Sequence, residues 1–357
     1  MEEPINIQEF ETAARSVLEP MVFDYYAGGS EDEHTLRENA LAWSNYRLVP
    51  RAFRDVRAVD SGTKVLGQEL AFPVLTAPCA FNKLAHPDGE IAVARAAEQA
   101  GIVQILSTAS TTSLEDVAEA VPGGNRWFQL YCYKDREITR SLVHRAEAAG
   151  YQALCLTVDV AVAGTRERDV RNQFHLPGDI RWANLDHLMG TAPDGSALTA
   201  YISDQWERNL SWDTIAWLQS ETNLPILVKG IMAPEDAAEA MEHGIAGVVV
   251  SNHGGRQLDG AASTCEVLAD VATAVDGRGV VVVDGGIRRG THILKALALG
   301  ADAVLIGRPY LWGLAHSGRA GVEAVLELLR AELVSAMALC GCTRIQECRS
   351  VRLLGTS

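Results

Sequence analysis

The segment SNHGGRQLD (251–259) sets a histidine, His253, three positions before an arginine, Arg256, with two glycines between them. Imidazole moves protons near neutral pH, and a guanidinium grips a carboxylate through two parallel hydrogen bonds. Together they could draw a proton from an anchored organic acid. Asp159, which ends the run ALCLTVD (153–159), could orient and charge-stabilise His253, or could simply cap the main chain that follows it. Lys229 closes PILVKG (225–230), where a lysine either forms a Schiff base or sets positive charge against an anionic ring system. Two more segments, DGGIRRG (284–290) and IGRP (306–309), offer main-chain N–H groups freed by glycine, and Arg308 adds a forked, charged contact. That pairing suits a phosphate. An isolated histidine more often serves packing, and His34, His86, His144, His187, His243, His292 and His316 are read that way.

The elements that must hold these groups are short apolar runs alternating with amphipathic stretches. The runs are FPVLTA (72–77), VQILST (103–108), WFQLYC (127–132), ALCLTVD, PILVKG, GVVVSN (247–252), VVVVDGG (280–286) and AVLIG (303–307). Continuous Val/Ile/Leu runs of this length read as parallel strands buried on both faces. Segments such as GEIAVARAAEQAG (89–101), REITRSLVHRAEAAG (136–150) and APEDAAEAMEHG (233–244) read as the helices between them, each closed by a glycine. Eight strands alternating with helices predict a (β/α)8 TIM barrel. An open doubly wound sheet would need a glycine fingerprint after its first strand, and APCAFNKLAHPDG is not one. In a barrel the reacting groups gather at the C-terminal strand ends. Those ends here supply Ser107, Gln129, Tyr131, Thr157, Asp159, Lys229, Ser251, His253, Arg256, Asp284, Arg288 and Arg308. Any one of these could be a strand cap or a surface ion pair, but their convergence favours a site. The whole chain, 1–357, reads as one domain: an N-terminal helical cap (1–70), the barrel (71–340) and a C-terminal tail (341–357). Residues 160–211 form a long loop after strand 4, expected to serve as a lid.

The formal charge of −15 speaks against a nucleic-acid partner or an anionic membrane surface. Seven cysteines with no CxxC pair read as reduced thiols, with no metal site. No apolar stretch reaches the length of a membrane span, the opening MEEPINIQEF is not a signal peptide, and LLGTS is not a peroxisomal signal. A cytoplasmic protein is expected.

The motifs resemble those of the FMN-dependent 2-hydroxy-acid oxidases, the family of glycolate oxidase, lactate oxidase and mandelate dehydrogenase. The resemblance runs nearly end to end, through DYYAGGSEDE (24–33), APCAFNKLAHPDGE (77–90), FQLYCYKDRE (128–137), LTVD (156–159), LPILVKG (224–230), VSNHGGRQLD (250–259), DGGIRRGTHILKALALGA (284–301) and IGRP. It implies FMN as cofactor and His253 as the base, with Asp159 its partner. It implies Arg256 and Arg166 on the substrate carboxylate, Tyr25 assisting, and Tyr131 near the substrate hydroxyl. Lys229 would sit at the flavin N1/O2 edge. Pro78, Cys79, Ala80, Ser107, Gln129, Thr157 and Ser251 would line the ring system and ribityl chain. Asp284, Gly285, Gly286, Arg288, Gly307 and Arg308 would hold the ribityl and phosphate groups. A homotetramer or octamer is implied in the same way.

One position departs from the glycolate-acting members. Where they carry Trp after the second strand, LSTASTTS (106–113) has Ala109, as mandelate-acting members have a small residue. The lost indole should enlarge the pocket unless Phe81 or the 160–211 loop refills it. The expected substrate is therefore an aryl (S)-2-hydroxy acid, mandelate or 4-hydroxymandelate, with O2 as acceptor and H2O2 as product. Glycolate or lactate oxidation, or mandelate dehydrogenation with another acceptor, are the alternatives. Other barrel chemistries, such as an FMN-dependent isomerase or a phosphate-sugar lyase, would not need His253 and Arg256 together. A flavin storage protein would need no base.

Overall fold

The computed structural model describes residues 3–178, 180–186 and 204–355. Eight parallel strands close into a barrel: β1 (Val74–Thr76), β2 (Val103–Leu106), β3 (Asn125–Leu130), β4 (Leu154–Thr157), β5 (Ile226–Ile231), β6 (Gly247–Val250), β7 (Val280–Val283) and β8 (Ala303–Ile306). Six lie within the apolar runs assigned to them from sequence, β3 starts two residues before its run and β5 ends one residue after its own, and β8 pairs with β1 to close the ring.

Strand periodicity divides the core in two. Leu75, Val103, Ile105, Trp127, Cys155, Leu227, Val249, Val282 and Leu305 form one buried cluster within the barrel. Their alternating neighbours, among them Leu106, Phe128, Leu156, Val228, Val250 and Val304, join the larger cluster shared with the surrounding helices. Both faces are apolar, which is why the strands read as unbroken hydrophobic runs.

A small hairpin, Thr63–Val65 with Gln68–Leu70, adds Val65 and Leu70 to the inner cluster. The Trp127 indole N–H, on β3, bonds to Gln68 of the same hairpin. Its turn puts Leu66 at φ 46° and Gly67 at φ 79°. Two left-handed residues make the tight hairpin turn, but Leu in place of Asn or Asp at the first hid it within a segment read as loop. The C-terminal segment is also more ordered than a tail, since Leu353–Gly355 pairs antiparallel with Tyr46–Leu48.

Two local features prepare the site. At β5 the register slips between Lys229 and Ile231, a bulge centred on Gly230 at φ 110°. A Cβ on Gly230 would fall 2.6 Å from the Asp159 Cβ, so the bulge and the missing side chain let the ends of β4 and β5 meet. After β8 a helix begins at Arg308 with Gly307 at its N-cap, and it breaks at Ser317 and Gly318. The stretch Arg308–His316 is thus a short extra helix whose N-terminus faces the barrel mouth, an arrangement that favours an anion.

Candidate active site

The C-terminal strand ends open into one cavity of about 1420 Å³, counting the part open to solvent. Apolar and aromatic residues line it together with a few convergent polar and charged groups, the usual make-up of a ligand site. Every residue singled out from sequence borders this cavity except Asp159 and Ser251, which stand one layer behind it.

His253 follows β6 in a left-handed turn, at φ 56°, with Gly254 and Gly255 also at positive φ. That backbone is uncommon for a residue other than glycine, though histidine enters it more readily than most, and it turns the side chain to meet Asp159. Its Nδ1 lies 2.9 Å from Asp159 Oδ1. Burial would raise the Asp159 carboxyl, but His253 and Lys229 outweigh it and hold the group below the usual carboxylate range. Asp159 Oδ1 is thus engaged by the imidazole and not by the main chain that follows β4.

Arg256 reaches back under the N-terminal segment, where its Nη1 donates to the carbonyls of Tyr25 (2.6 Å) and Gly28 (3.0 Å). Its guanidinium lies 5.1 Å from the centre of the Tyr25 ring, and that ring stacks on Phe174 at 4.2 Å. Burial and the nearby Arg166 both press down on the affinity of Arg256 for its proton. Arg166 itself pairs with Asp169 at 2.7 Å. Two guanidiniums share this wall, a surplus of positive charge suited to a carboxylate.

Across the strand tops runs a polar chain. Gln129 accepts from Ser107 Oγ and the Thr108 N–H, and donates to Thr157 Oγ1 at 3.0 Å. Lys229 Nζ donates to Ser251 Oγ at 2.7 Å and lies 3.3 Å from Asp284 Oδ2. Ser251 Oγ donates in turn to Asp284 at 2.8 Å and accepts from the His253 N–H at 3.1 Å. Ser251 therefore braces the loop from behind, where the sequence reading had it lining the cavity. Burial works against the Lys229 charge, but Asp284 and Asp159 more than offset it and raise its proton affinity. A lysine held as ammonium is a poor Schiff-base nucleophile, so the geometry favours the charge-donating role.

The other end of the cavity is cationic. Burial, with Arg256 and Arg288 nearby, pushes Arg308 down to about 9, and burial likewise lowers Arg288. The Arg308 guanidinium donates to the carbonyls of Tyr26, Gly254 and Gly28, and Arg288 Nη1 to that of Ile287. Gly285 and Gly286 sit at φ 91° and 74°, and a Cβ on Gly286 would strike the Asn39 carbonyl at 1.7 Å.

A family model described as FMN-dependent dehydrogenase matches residues 14–354. The chain belongs to the FMN-dependent dehydrogenase family. It is 52% identical over 351 residues to an L-lactate oxidase of Nostoc sp., covering 96% of each chain. It is 46% identical over 348 residues to 2-hydroxyacid oxidase 1 of Homo sapiens, covering 96% of this chain and 94% of that one. A solved structure of mandelate oxidase with (S)-4-hydroxymandelic acid superposes with a TM-score of 0.95 at 42% identity, covering 99% of each chain.

FMN is the cofactor of this FMN-dependent dehydrogenase, and the cavity fits it on its own evidence. The half-buried Arg288 and Arg308 are bonded to main-chain carbonyls, not to carboxylates, among the described residues, and the N-terminus of the extra helix lies beside them. Those groups suit a phosphate. The buried Asp284 Oδ1 has no partner, which suits a hydroxyl-bearing chain. Lys229 brings positive charge to the middle of the cavity.

Sequence reasoning missed the aromatic roof. Phe174, Trp182 and Trp206 come from the long connection after β4 and border the cavity. Trp206 stacks on Tyr131 at 4.7 Å, and Trp182 meets Phe81 edge-on at 5.2 Å. The clue was several aromatic residues in a connection with no helical or strand period. The rest of the expected lid, residues 187–203, lies outside the described residues. No helix among the described residues is long and apolar enough to cross a membrane.

Proposed function

We propose that this family member oxidises an aryl (S)-2-hydroxy acid, mandelate or 4-hydroxymandelate, to the 2-keto acid and passes the electrons to O2, releasing H2O2. The observation that carries the chemistry is the His253–Asp159 pair and the Arg256 guanidinium on one cavity with the charged Lys229. Arg256 and Arg166 fix the substrate carboxylate, with Tyr25 between them and Phe174. Fixing that group holds the α-carbon in place, and orientation of this kind can supply a large share of the rate. Asp159 engages Nδ1 of His253, so the remaining ring nitrogen takes the substrate proton while the carboxylate stabilises the imidazolium that forms. Tyr131, kept neutral by burial, is a hydrogen-bond donor for the substrate oxygen. Bound FMN supplies the two-electron sink, held through Ser107, Gln129, Thr157, Lys229 and Asp284 and, at its phosphate, through Arg288, Gly307 and Arg308.

The aryl preference draws support from Ala109, buried in the wall, and from Phe81, Phe174 and Trp206, aromatic residues that border the same cavity. The mandelate oxidase likeness supports it further. A second reading, a small aliphatic substrate, is favoured by the position of Trp182. The Ala183 N–H bonds to the Ser110 carbonyl and the Phe81 N–H to that of Ala109, and Trp182 meets Phe81 edge-on, which brings a bulky indole to the same wall as Ala109. Steady-state kinetics with mandelate, 4-hydroxymandelate, lactate and glycolate decide between them. The highest kcat/KM for an aryl acid, depressed selectively by Ala109→Trp, is the expected result. The highest value for glycolate or lactate overturns the aryl reading.

A further inference from the structure

We infer that Arg168 is a positioning residue for this reaction, an electrostatic latch that sets the substrate-carboxylate wall. The inference rests on the reading that Arg256, Arg166 and Tyr25 face that carboxylate. Arg166 and Arg168 lie on one short segment, at the start of the helix Glu167–Arg171, but act on opposite sides of it. Arg166 borders the cavity. Arg168 turns away from it and bridges two carboxylates of the N-terminal segment, Asp24 at 3.4 Å and Glu33 at 2.5 Å.

Both partners are built into the backbone that holds Tyr25. Asp24 precedes Tyr25 on the helix Pro20–Ala27, and its other oxygen accepts from Asn172 Nδ2 at 2.8 Å. The second oxygen of Glu33 accepts from the Gly29 N–H at 2.9 Å. Between these two anchors lie the Tyr25 and Gly28 carbonyls, the acceptors that aim Arg256. The Gly28 carbonyl also receives Arg308 at 2.9 Å. A shift of residues 24–29 against the segment 166–174 would therefore disturb three things together: the Tyr25–Phe174 stack, the aim of Arg256 and the spacing of Arg166 from both. Arg168 is the cation that joins the two segments. It also offsets part of the negative charge that Asp24 and Glu33 bring to this segment. The pairs are half-buried, with Glu33 only 14% exposed, so water and salt screen them less than a surface pair.

The consequence falls on binding more than on chemistry, since neither His253 nor Asp159 touches the latch. Arg168→Ala should raise KM for mandelate about tenfold, with kcat changed by less than about twofold. Arg168→Lys should recover most of the loss, because it restores the charge but not the fork. Glu33→Gln, a milder change, should raise KM about threefold and add little in the Arg168→Ala background, as expected of partners in one interaction. The experiment is steady-state kinetics of these FMN-loaded variants at saturating oxygen, beside Arg256→Lys. If Arg168→Ala and Glu33→Gln both leave KM within about twofold of the parent while Arg256→Lys raises it, the latch is wrong and the carboxylate wall stands. If Arg256→Lys also leaves KM unmoved, the underlying reading has failed first. Equal loss of kcat and KM effects across the series, without rescue by lysine, would mark Arg168 as merely structural and overturn the proposal.

Discussion

Replacing Asp159 by asparagine isolates the charge behind the base. The asparagine carbonyl can still accept from His253 Nδ1, now 2.9 Å from the carboxylate, so the ring keeps its orientation and loses only its counter-charge. Two unit charges about 4 Å apart at an effective dielectric constant of about 20 interact by about 4 kcal/mol. Asp159 is mostly buried but the His253 side chain is 26% exposed, so solvent screening takes the figure down somewhat. A transition-state cost of about 3 kcal/mol corresponds to a rate loss between a hundredfold and a thousandfold. The assay is the rate of flavin bleaching after anaerobic mixing with mandelate, which reads the oxidation step without the oxygen reaction. KM should move little, because the carboxylate wall is untouched. A bleaching rate within about threefold of the parent would refute the assignment of Asp159 as the partner of the base.

Lys229→Met should leave Asp284 buried without its cation, costing about 3–5 kcal/mol, read as a lower melting temperature of the FMN-free protein; the cost should shrink when Asp284→Asn is added. Gly286→Ala should destabilise by at least about 3 kcal/mol and reduce FMN content on purification, because its Cβ meets main chain at 1.7 Å and its φ is 74°. The His292 imidazole, against Trp43, is pushed by burial from 6.5 down to about 4, so the unfolded chain takes up the proton first as pH falls. The stability it contributes is present above about 6.5 and lost towards 4, with a ceiling of about 3 kcal/mol. His292→Phe should flatten the melting temperature across that pH range.

The barrel was legible because its physics is local and repeated. Strands buried on two faces must be apolar throughout, and helices between them must alternate, so β1 to β8 announced themselves without any long-range contact. The gathering of His253, Arg256, Arg288 and Arg308 on one cavity was legible for a related reason: a parallel barrel delivers the residues after each strand to the same rim. What stayed hidden depended on distant partners. Ser251 reads like its neighbours at the strand ends, and only the positions of Lys229, Asp284 and the His253 N–H turn it into a brace behind the cavity. Trp182 and Trp206 carry no period, so their seats beside Phe81 and Tyr131 follow from tertiary packing alone. The hairpin at Leu66 and Gly67 escaped because its first turn residue pays a left-handed strain that the sequence gives no reason to expect. Lys229 is the instructive middle case, since its position left two roles open and its ion pair with Asp284 favours one.

The central claim is that His253 and Arg256 present a 2-hydroxy acid to FMN in this one cavity. Its most direct test is the visible absorbance of the purified holoenzyme mixed with mandelate without air and then exposed to oxygen. The flavin band should bleach, return on aeration with one H2O2 released per keto acid formed, and stay unbleached in His253→Asn. A band that never bleaches with any of the four 2-hydroxy acids, or that bleaches equally well without His253, would contradict the account.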